Sequence, residues 1–164
     1  AKRKFPISII KALFLLKKNN FQSVSFFGEG SQKKLIQEFN NLSYDIIFRG
    51  YIPREKLPVE LDKHDVFIMI SKKEAFGLVY LEAMNRGLIT IAAKNEGMDG
   101  IIVNGENGFL VESGSSVQLS KVLELIQLMT ENEKLKISKN AIQTAKLYSN
   151  KNVSNNYLDL IKNA

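Results

Sequence analysis

The most constraining feature of this chain is a short apolar run that leads through a loop into a helical pattern. Residues Val66–Ile70 are apolar without alternation, which is typical of a strand buried on both faces of a parallel sheet. From Gly77 the apolar positions recur at helical spacing as far as Met84, and Gly87 predicts the helix end. This strand–loop–helix unit therefore places the amino end of a helix at the edge of the sheet where the parallel strands have their carboxyl ends.

The same alternation of strand and helix continues along the chain. Further strands are predicted at Val24–Phe27, Tyr44–Phe48, Leu88–Ala92 and Phe109–Val111. Helices are predicted at Pro6–Lys18, Ser31–Phe39, a short segment ending near Leu61, Ser116–Met129, Glu131–Tyr148 and Lys151–Lys162. Apolar strands that alternate with helices indicate an α/β fold, a Rossmann-like doubly wound parallel sheet with helices on both faces.

Length and composition exclude several classes of protein. The 164 residues, 45% of them hydrophobic, suffice for one core, so we expect a single domain over residues 1–164. There is no cysteine, which excludes disulfides and cysteine-based zinc sites. No apolar run approaches the roughly 20 residues that span a bilayer. The chain begins without Met, so we expect it to be part of a longer protein.

The net charge of +6 indicates an anionic partner, and its excess lies towards the amino terminus. Such a partner could be a nucleic acid, an anionic membrane surface or an anionic small molecule. Basic residues are not interleaved with aromatic ones here and no nucleic-acid motif is present, so nucleic acid is not predicted as a partner.

Two carboxylates flank the start of the central helix. Glu74 precedes it in the loop and Glu82 lies at least one turn inside it. Unpaired N–H groups and the helix dipole make such a start an anion site, and Gly77 without a Cβ would allow a phosphate close approach. Carboxylates can accept hydrogen bonds from sugar hydroxyls. The simpler interpretation is one glutamate placed by the dipole and one on a solvated face.

The sequence of this segment resembles the signature of the group 1 (family 4-like) retaining glycosyltransferases. It reads Glu74-Ala-Phe-Gly-Leu-Val-Tyr-Leu-Glu82-Ala-Met. That family includes sucrose synthases and bacterial mannosyl- and glucosyltransferases, and has the GT-B architecture of two Rossmann-like domains facing a cleft. The motif belongs to its C-terminal domain, which holds the nucleotide-sugar donor. The resemblance implies that this chain is such a domain, a fragment of a two-domain enzyme.

The resemblance also implies roles for individual residues. Glu82 would bind ribose hydroxyls, Glu74 the transferred sugar near its reacting carbon, and Lys4 the donor diphosphate as charge grows on the departing nucleotide. The remaining donor contacts would come from backbone at strand ends and at the helix start. These are the phosphate-binding amides of Phe76, Gly77, Leu78 and Val79, the turn at Gly28 and Gly30, the base-reading loop at Tyr51 and Ile52, and the loop at Gly97.

Two features depart from the family pattern. The family has a strand ending in Gly-Arg ahead of the lysine that corresponds to Lys4, and no such strand is present in these residues. The family also has paired glycines followed by a glutamate where this chain reads Asn95-Glu96-Gly97-Met98-Asp99-Gly100, so that either Asp99 replaces the acid or the loop is a variant. We expect the sheet to lack one strand and the donor site one phosphate ligand.

These observations lead to one preferred function and two alternatives. The preferred function is hexosyl transfer, with retention, from a UDP- or GDP-linked sugar to a glycan or lipid-linked acceptor of polysaccharide biosynthesis. The resemblance implies no further cofactor, and the lack of an Asp-x-Asp triplet predicts metal independence. We expect a cytoplasmic protein that needs its N-terminal half, with peripheral attachment to the inner membrane face as a further option. The alternatives are a GT-B-like nucleotide-sugar epimerase and a non-enzymatic basic binding module.

Overall fold

The computed structural model describes residues 4–18, 20–30 and 45–148, and these contain six segments of helix and five strands. The helices are α1 (Pro6–Phe14), α2 (Leu57–Leu61), α3 (Leu78–Asn85), α4 (Ser116–Leu128) and α5 (Glu131–Leu147), with a 3₁₀ turn at Arg54–Lys56. The strands are β1 (Ser23–Phe27), β2 (Asp45–Gly50), β3 (Val66–Met69), β4 (Ile89–Ala93) and β5 (Phe109–Val111). The helices predicted at Ser31–Phe39 and Lys151–Lys162 lie outside the described residues.

All strand pairs are parallel, as the apolar runs predict. Strand β1 pairs with β2, and β4 lies between β3 and β5. In register, Ile68 of β3 faces Ile91 of β4, and Ile91 faces Phe109 of β5. Because parallel strands are joined by helices, their carboxyl ends and the loops that follow them share one edge of the fold.

Helices cover both faces of the central sheet. Alternate residues of β4 enter different apolar clusters: Ile91 packs with α1 and α4, whereas Ala92 packs with α3 and α5. All five residues of β4 are buried, because both faces and both edges of this strand are covered. The α/β, Rossmann-like fold class predicted from the sequence is confirmed.

The two sheets are separated by a gap between β1 and β3. A cavity of about 760 Å³ extends along both strands, and its lining comes mainly from β1, β3 and the helices α1, α2 and α4, with Phe48 of β2 and Val79 of α3. The observed order, β2-β1 and then β3-β4-β5, matches the usual doubly wound order 3-2-1-4-5-6, with none of the described residues forming a strand in the central first position. This is the place where the family resemblance implies a strand ahead of Lys4.

Helix α1 ends at Phe14 instead of the predicted Lys18 because the following backbone binds another helix. The Lys17 N–H donates to the Glu124 carboxylate, and the Asn20 N–H donates to Gln127 Oε1 at 2.7 Å. Both acceptors lie on α4. The apolar periodicity continues past Phe14 in the sequence, but side chains of α4 replace the helical acceptors in the structure.

The central strand should be the most protected part of the described chain in hydrogen exchange. Amides of β4 should exchange at least about 100-fold more slowly than those of β2, since a two-stranded sheet alone is marginally stable. NMR-detected exchange in deuterated buffer measures both sets in one sample. Equal protection of β2 and β4 would show that the two sheets open as one unit.

Candidate functional site

Helix α3 begins at Gly77, and the structure shows why this position requires glycine. Gly77 has φ 65°, a left-handed conformation, and a Cβ placed there would lie 2.7 Å from Cε2 of Tyr80. The Tyr80 hydroxyl donates a 2.6 Å hydrogen bond to the carbonyl oxygen of Met69 at the end of β3. Burial, and secondarily the negative charge of Glu74, raise the pKa of Tyr80 far above its usual range. Tyr80 therefore ties the helix start to the preceding strand as a neutral phenol.

The predicted anion site lies at the first turn of α3. The N–H groups of Leu78 and Val79 belong to the first turn of α3 and have no acceptor within the helix. The neighbouring side chains of Phe76 and Leu78 are 38% and 52% exposed, so the helix start opens to solvent. Exposed amides and the positive end of the dipole suit a phosphate at this position.

Glu82 lies on the side of α3 that faces the loop after β2. Its Oε1 accepts from Nη2 of Arg54 at 3.2 Å, and Arg54 follows directly on the predicted base-reading loop. The arginine side chain is 76% exposed and that of Glu82 is 29% exposed, so the ion pair adds little stability. A carboxylate has about four lone-pair sites, so this contact leaves Glu82 able to accept from ribose hydroxyls.

Glu74 lies on the opposite side of the helix start, against the loop after β4. Its backbone N–H donates to Oε2 of Glu96 at 2.8 Å, and its carbonyl accepts from the Gly97 N–H at 2.9 Å. The Glu74 side chain passes beside Gly77, with its Cγ 3.3 Å from the position of a Cβ there. The two carboxylates thus flank the amino end of α3, each next to a different loop.

Six of the residues predicted to bind the donor line the cavity between the sheets. They are Lys4, Gly28, Gly30, Tyr51, Ile52 and Val79. Glu74, Phe76, Gly77, Leu78, Glu82 and Gly97 do not line it and form a second group around the start of α3. Neither Glu74 nor Glu82 lines this cavity, and of the residues at the start of α3 only Val79 does.

Within the described residues there is neither a cluster of metal-ligating side chains nor a membrane-spanning helix. No group of three or more His, Cys, Asp or Glu side chains in residues 4–18, 20–30 and 45–148 is arranged to hold a metal ion. Metal independence stays a prediction. Within the same residues no helix has the length and apolar character needed to cross a bilayer.

Comparison with known sequences gives the family. The family described as glycosyl transferases group 1 matches residues 1–146. The chain belongs to this family. One curated member, sulfoquinovosyl transferase SQD2 of Arabidopsis thaliana, is 34% identical to it over 115 residues, which are 66% of this chain and 22% of that protein. The resemblance of the segment Glu74–Met84 to the group 1 glycosyltransferases is thereby confirmed.

Solved structures of other proteins share the fold of this chain. The Anabaena protein Alr3699/HepE in complex with UDP superposes on the whole chain with a TM-score of 0.83 and 22% identity, using 46% of its own length. The C-terminal domain of the group 1 glycosyl transferase LpcC from Francisella tularensis matches 90% of this chain and 80% of its own length, with a TM-score of 0.77 and 29% identity. The chain therefore spans about a fifth of SQD2 and about half of HepE.

Two residues that contact the predicted carboxylates, Arg54 and Glu96, were not predicted from the sequence. Arg54 was one of many basic residues near the amino terminus, and only the contact with Glu82 distinguishes it. Glu96 was noted as a departure from the paired glycines, but no contact was assigned to it. Asp99, the suggested replacement for the family's acid, instead accepts from the Asn95 N–H within its own loop.

Proposed function

We propose that this chain is the donor-binding half of a retaining glycosyltransferase. It would hold a UDP- or GDP-linked hexose while the sugar passes to an acceptor hydroxyl supplied opposite it. The acceptor would be a glycan or a lipid-linked sugar, and the reaction would need no cofactor besides the donor. An N-terminal, acceptor-binding domain would complete the enzyme.

The observation that carries the proposal is the superposition of the whole chain on HepE, a protein whose structure contains UDP. Its family membership and the geometry around α3 support the same assignment. The first-turn amides of α3 would receive the diphosphate, with Glu82 beside the base-reading loop at Tyr51 and Glu74 on the other flank. The base-reading loop, Glu82, the amides and Glu74 would then follow one another as base, ribose, diphosphate and sugar do in a nucleotide-sugar.

The chemical contribution of this half would be electrostatic. When the bond between sugar and diphosphate breaks, negative charge grows on the diphosphate, where the helix dipole and amides are already oriented. Lys4 is exposed at the mouth of the cavity and would add a mobile positive charge. Glu74 would orient hydroxyls of the sugar close to the developing oxocarbenium ion.

The proposal also places the reaction at the cytoplasmic face of a membrane when the acceptor is lipid-linked. Lys11, Lys17 and Lys18 are exposed on and just after α1. Basic side chains of this kind attract a protein to anionic lipid by roughly 1 kcal/mol each. Salt-dependent sedimentation with anionic vesicles would test this attachment separately from donor binding.

Titration with nucleotides tests the central proposal. UDP, GDP and ADP are added to ¹⁵N-labelled protein, and amide shifts are followed by NMR. We expect one of the three to shift the resonances of Gly77, Leu78 and Val79, together with those of the loop at Tyr51. Shifts confined to other surfaces, or none with any nucleotide, would refute donor binding by this half.

Replacement of Glu82 by alanine should weaken binding of that nucleotide by about 1–3 kcal/mol, the cost of losing hydrogen bonds to a charged acceptor. Isothermal titration calorimetry measures the change. The matched control is Glu106→Ala, which removes an exposed carboxylate from the turn before β5 and should leave affinity unchanged. Equal affinity of E82A and wild type would remove the ribose role from Glu82.

A further inference from the structure

The loop that carries Glu74 is joined directly to the loop after β4. The two hydrogen bonds between them run in opposite directions, one from the Glu74 N–H to Glu96 Oε2 and one from the Gly97 N–H to the Glu74 carbonyl. The backbones also touch, since a Cβ on Gly97 would lie 2.2 Å from the carbonyl oxygen of Ala75. Both polar groups of the Glu74 peptide are therefore held by two successive residues, Glu96 and Gly97.

The loop that carries Glu96 is held in its conformation by hydrogen bonds within the loop. Asp99 accepts from the Asn95 N–H at 2.6 Å, and the Asp99 N–H donates to the Glu96 carbonyl at 2.8 Å. Met98, between them, is 1% exposed and packs in the cluster that contains Tyr80. Glu96 is half-buried, so its bond to Glu74 is partly shielded from competing water.

Any movement of the Glu74 backbone would be passed to its side chain, because that side chain lies beside Gly77 at the start of α3. We propose that Glu96 is a positioning residue, whose carboxylate holds the Glu74 backbone so that the Glu74 side chain stays over the amino end of α3. Glu96 acts as a hydrogen-bond acceptor in this role, and its negative charge is not required. The inference rests on the proposed function only for the statement that Glu74 contacts the transferred sugar.

The first test needs no ligand. Amide exchange of Glu74 is measured by NMR in wild type, Glu96→Ala and Glu96→Gln, with Asp99→Asn as a control in the same loop. Loss of the acceptor in E96A should speed exchange of the Glu74 amide about 10-fold or more, as expected for a bond of roughly 1.4 kcal/mol. The Gln variant keeps a carbonyl acceptor and should stay within about 3-fold of wild type. Unchanged exchange in E96A would overturn the inference.

The second test uses affinity for UDP-glucose relative to UDP, and for GDP-mannose relative to GDP. E96A should lose most of the gain in affinity that the sugar provides while its affinity for the nucleotide alone falls less, and E96Q should restore that gain. If E96Q behaves like E96A, the charge of Glu96 matters and the positioning role is wrong. If wild type binds none of the four compounds, the proposed function fails, while the exchange test still decides the role of Glu96.

Discussion

Replacement of Gly97 by alanine should both destabilise the protein and weaken nucleotide binding. The added Cβ would lie 2.2 Å from the carbonyl oxygen of Ala75, 2.5 Å from its carbonyl carbon and 2.6 Å from Cα of Phe76. All three are backbone atoms, so no side chain can rotate away, and one of the two loops must move. We expect a loss of about 3 kcal/mol in the free energy of unfolding, at the upper end of overpacking effects.

The same displacement reaches the site, because Ala75 and Phe76 connect Glu74 with the start of α3. Nucleotide affinity of G97A should fall at least about 10-fold, since a small misplacement of donor-binding amides is costly. Urea unfolding and calorimetric titration measure the two effects.

Gly100→Ala is a suitable comparison for G97A. Gly100 has φ 89° and open space around its Cβ position, so alanine there costs about 1–2 kcal/mol of backbone strain without displacing the loop of Glu74. Its nucleotide affinity should match wild type. If G97A were as stable as wild type, the two loops would not be in contact as described.

The second large effect is expected at Asn107, which joins the turn before β5 to α5. Its side chain is buried and makes three hydrogen bonds: Oδ1 accepts from the Val103 N–H, and Nδ2 donates to the Ile101 carbonyl and to Oγ1 of Thr144. Asn107→Ala removes all three of these part-buried hydrogen bonds. At about 1 kcal/mol each, the free energy of unfolding should fall by about 3 kcal/mol.

Asn104 provides the matched control in the same turn. It is exposed and accepts one hydrogen bond, from the Leu110 N–H at 2.9 Å. Asn104→Ala should therefore cost about 1 kcal/mol or less in urea unfolding. Similar losses in the two variants would mean that the turn contributes through its backbone conformation and not through the Asn107 side chain.

Local patterns were enough to predict most elements of the fold. The apolar runs at β3 and β4 predict buried parallel strands, since few polar side chains can be accommodated between two helical layers. The strand Phe109–Val111 has the predicted bounds, and α3 starts directly after Gly77 as predicted. The sequence around Glu74 and Glu82 then indicated the family, which the match over residues 1–146 confirms.

Contacts between distant segments could not be predicted from local sequence patterns. Arg54 and Glu82 are 28 residues apart, and Glu74 and Glu96 are 22 apart. Neither pair has a periodicity or spacing that signals contact, because each depends on how two loops at the sheet edge approach one another. The early end of α1 likewise depends on a distant contact, because backbone N–H groups after the helix donate to side chains on α4 that lie 107 residues away.

The amino-acid sequence alone was sufficient for the strand and helix types, the α/β class and the position at which α3 starts. These depend on side-chain periodicity and on glycine conformations, which act over a few residues. Tertiary structure was needed to separate β1–β2 from β3–β4–β5, and to assign Glu74 to the loop after β4 and Glu82 to the loop after β2. Those arrangements depend on packing between elements that are far apart in the chain. Patterns over a few neighbouring residues carry no information about such packing.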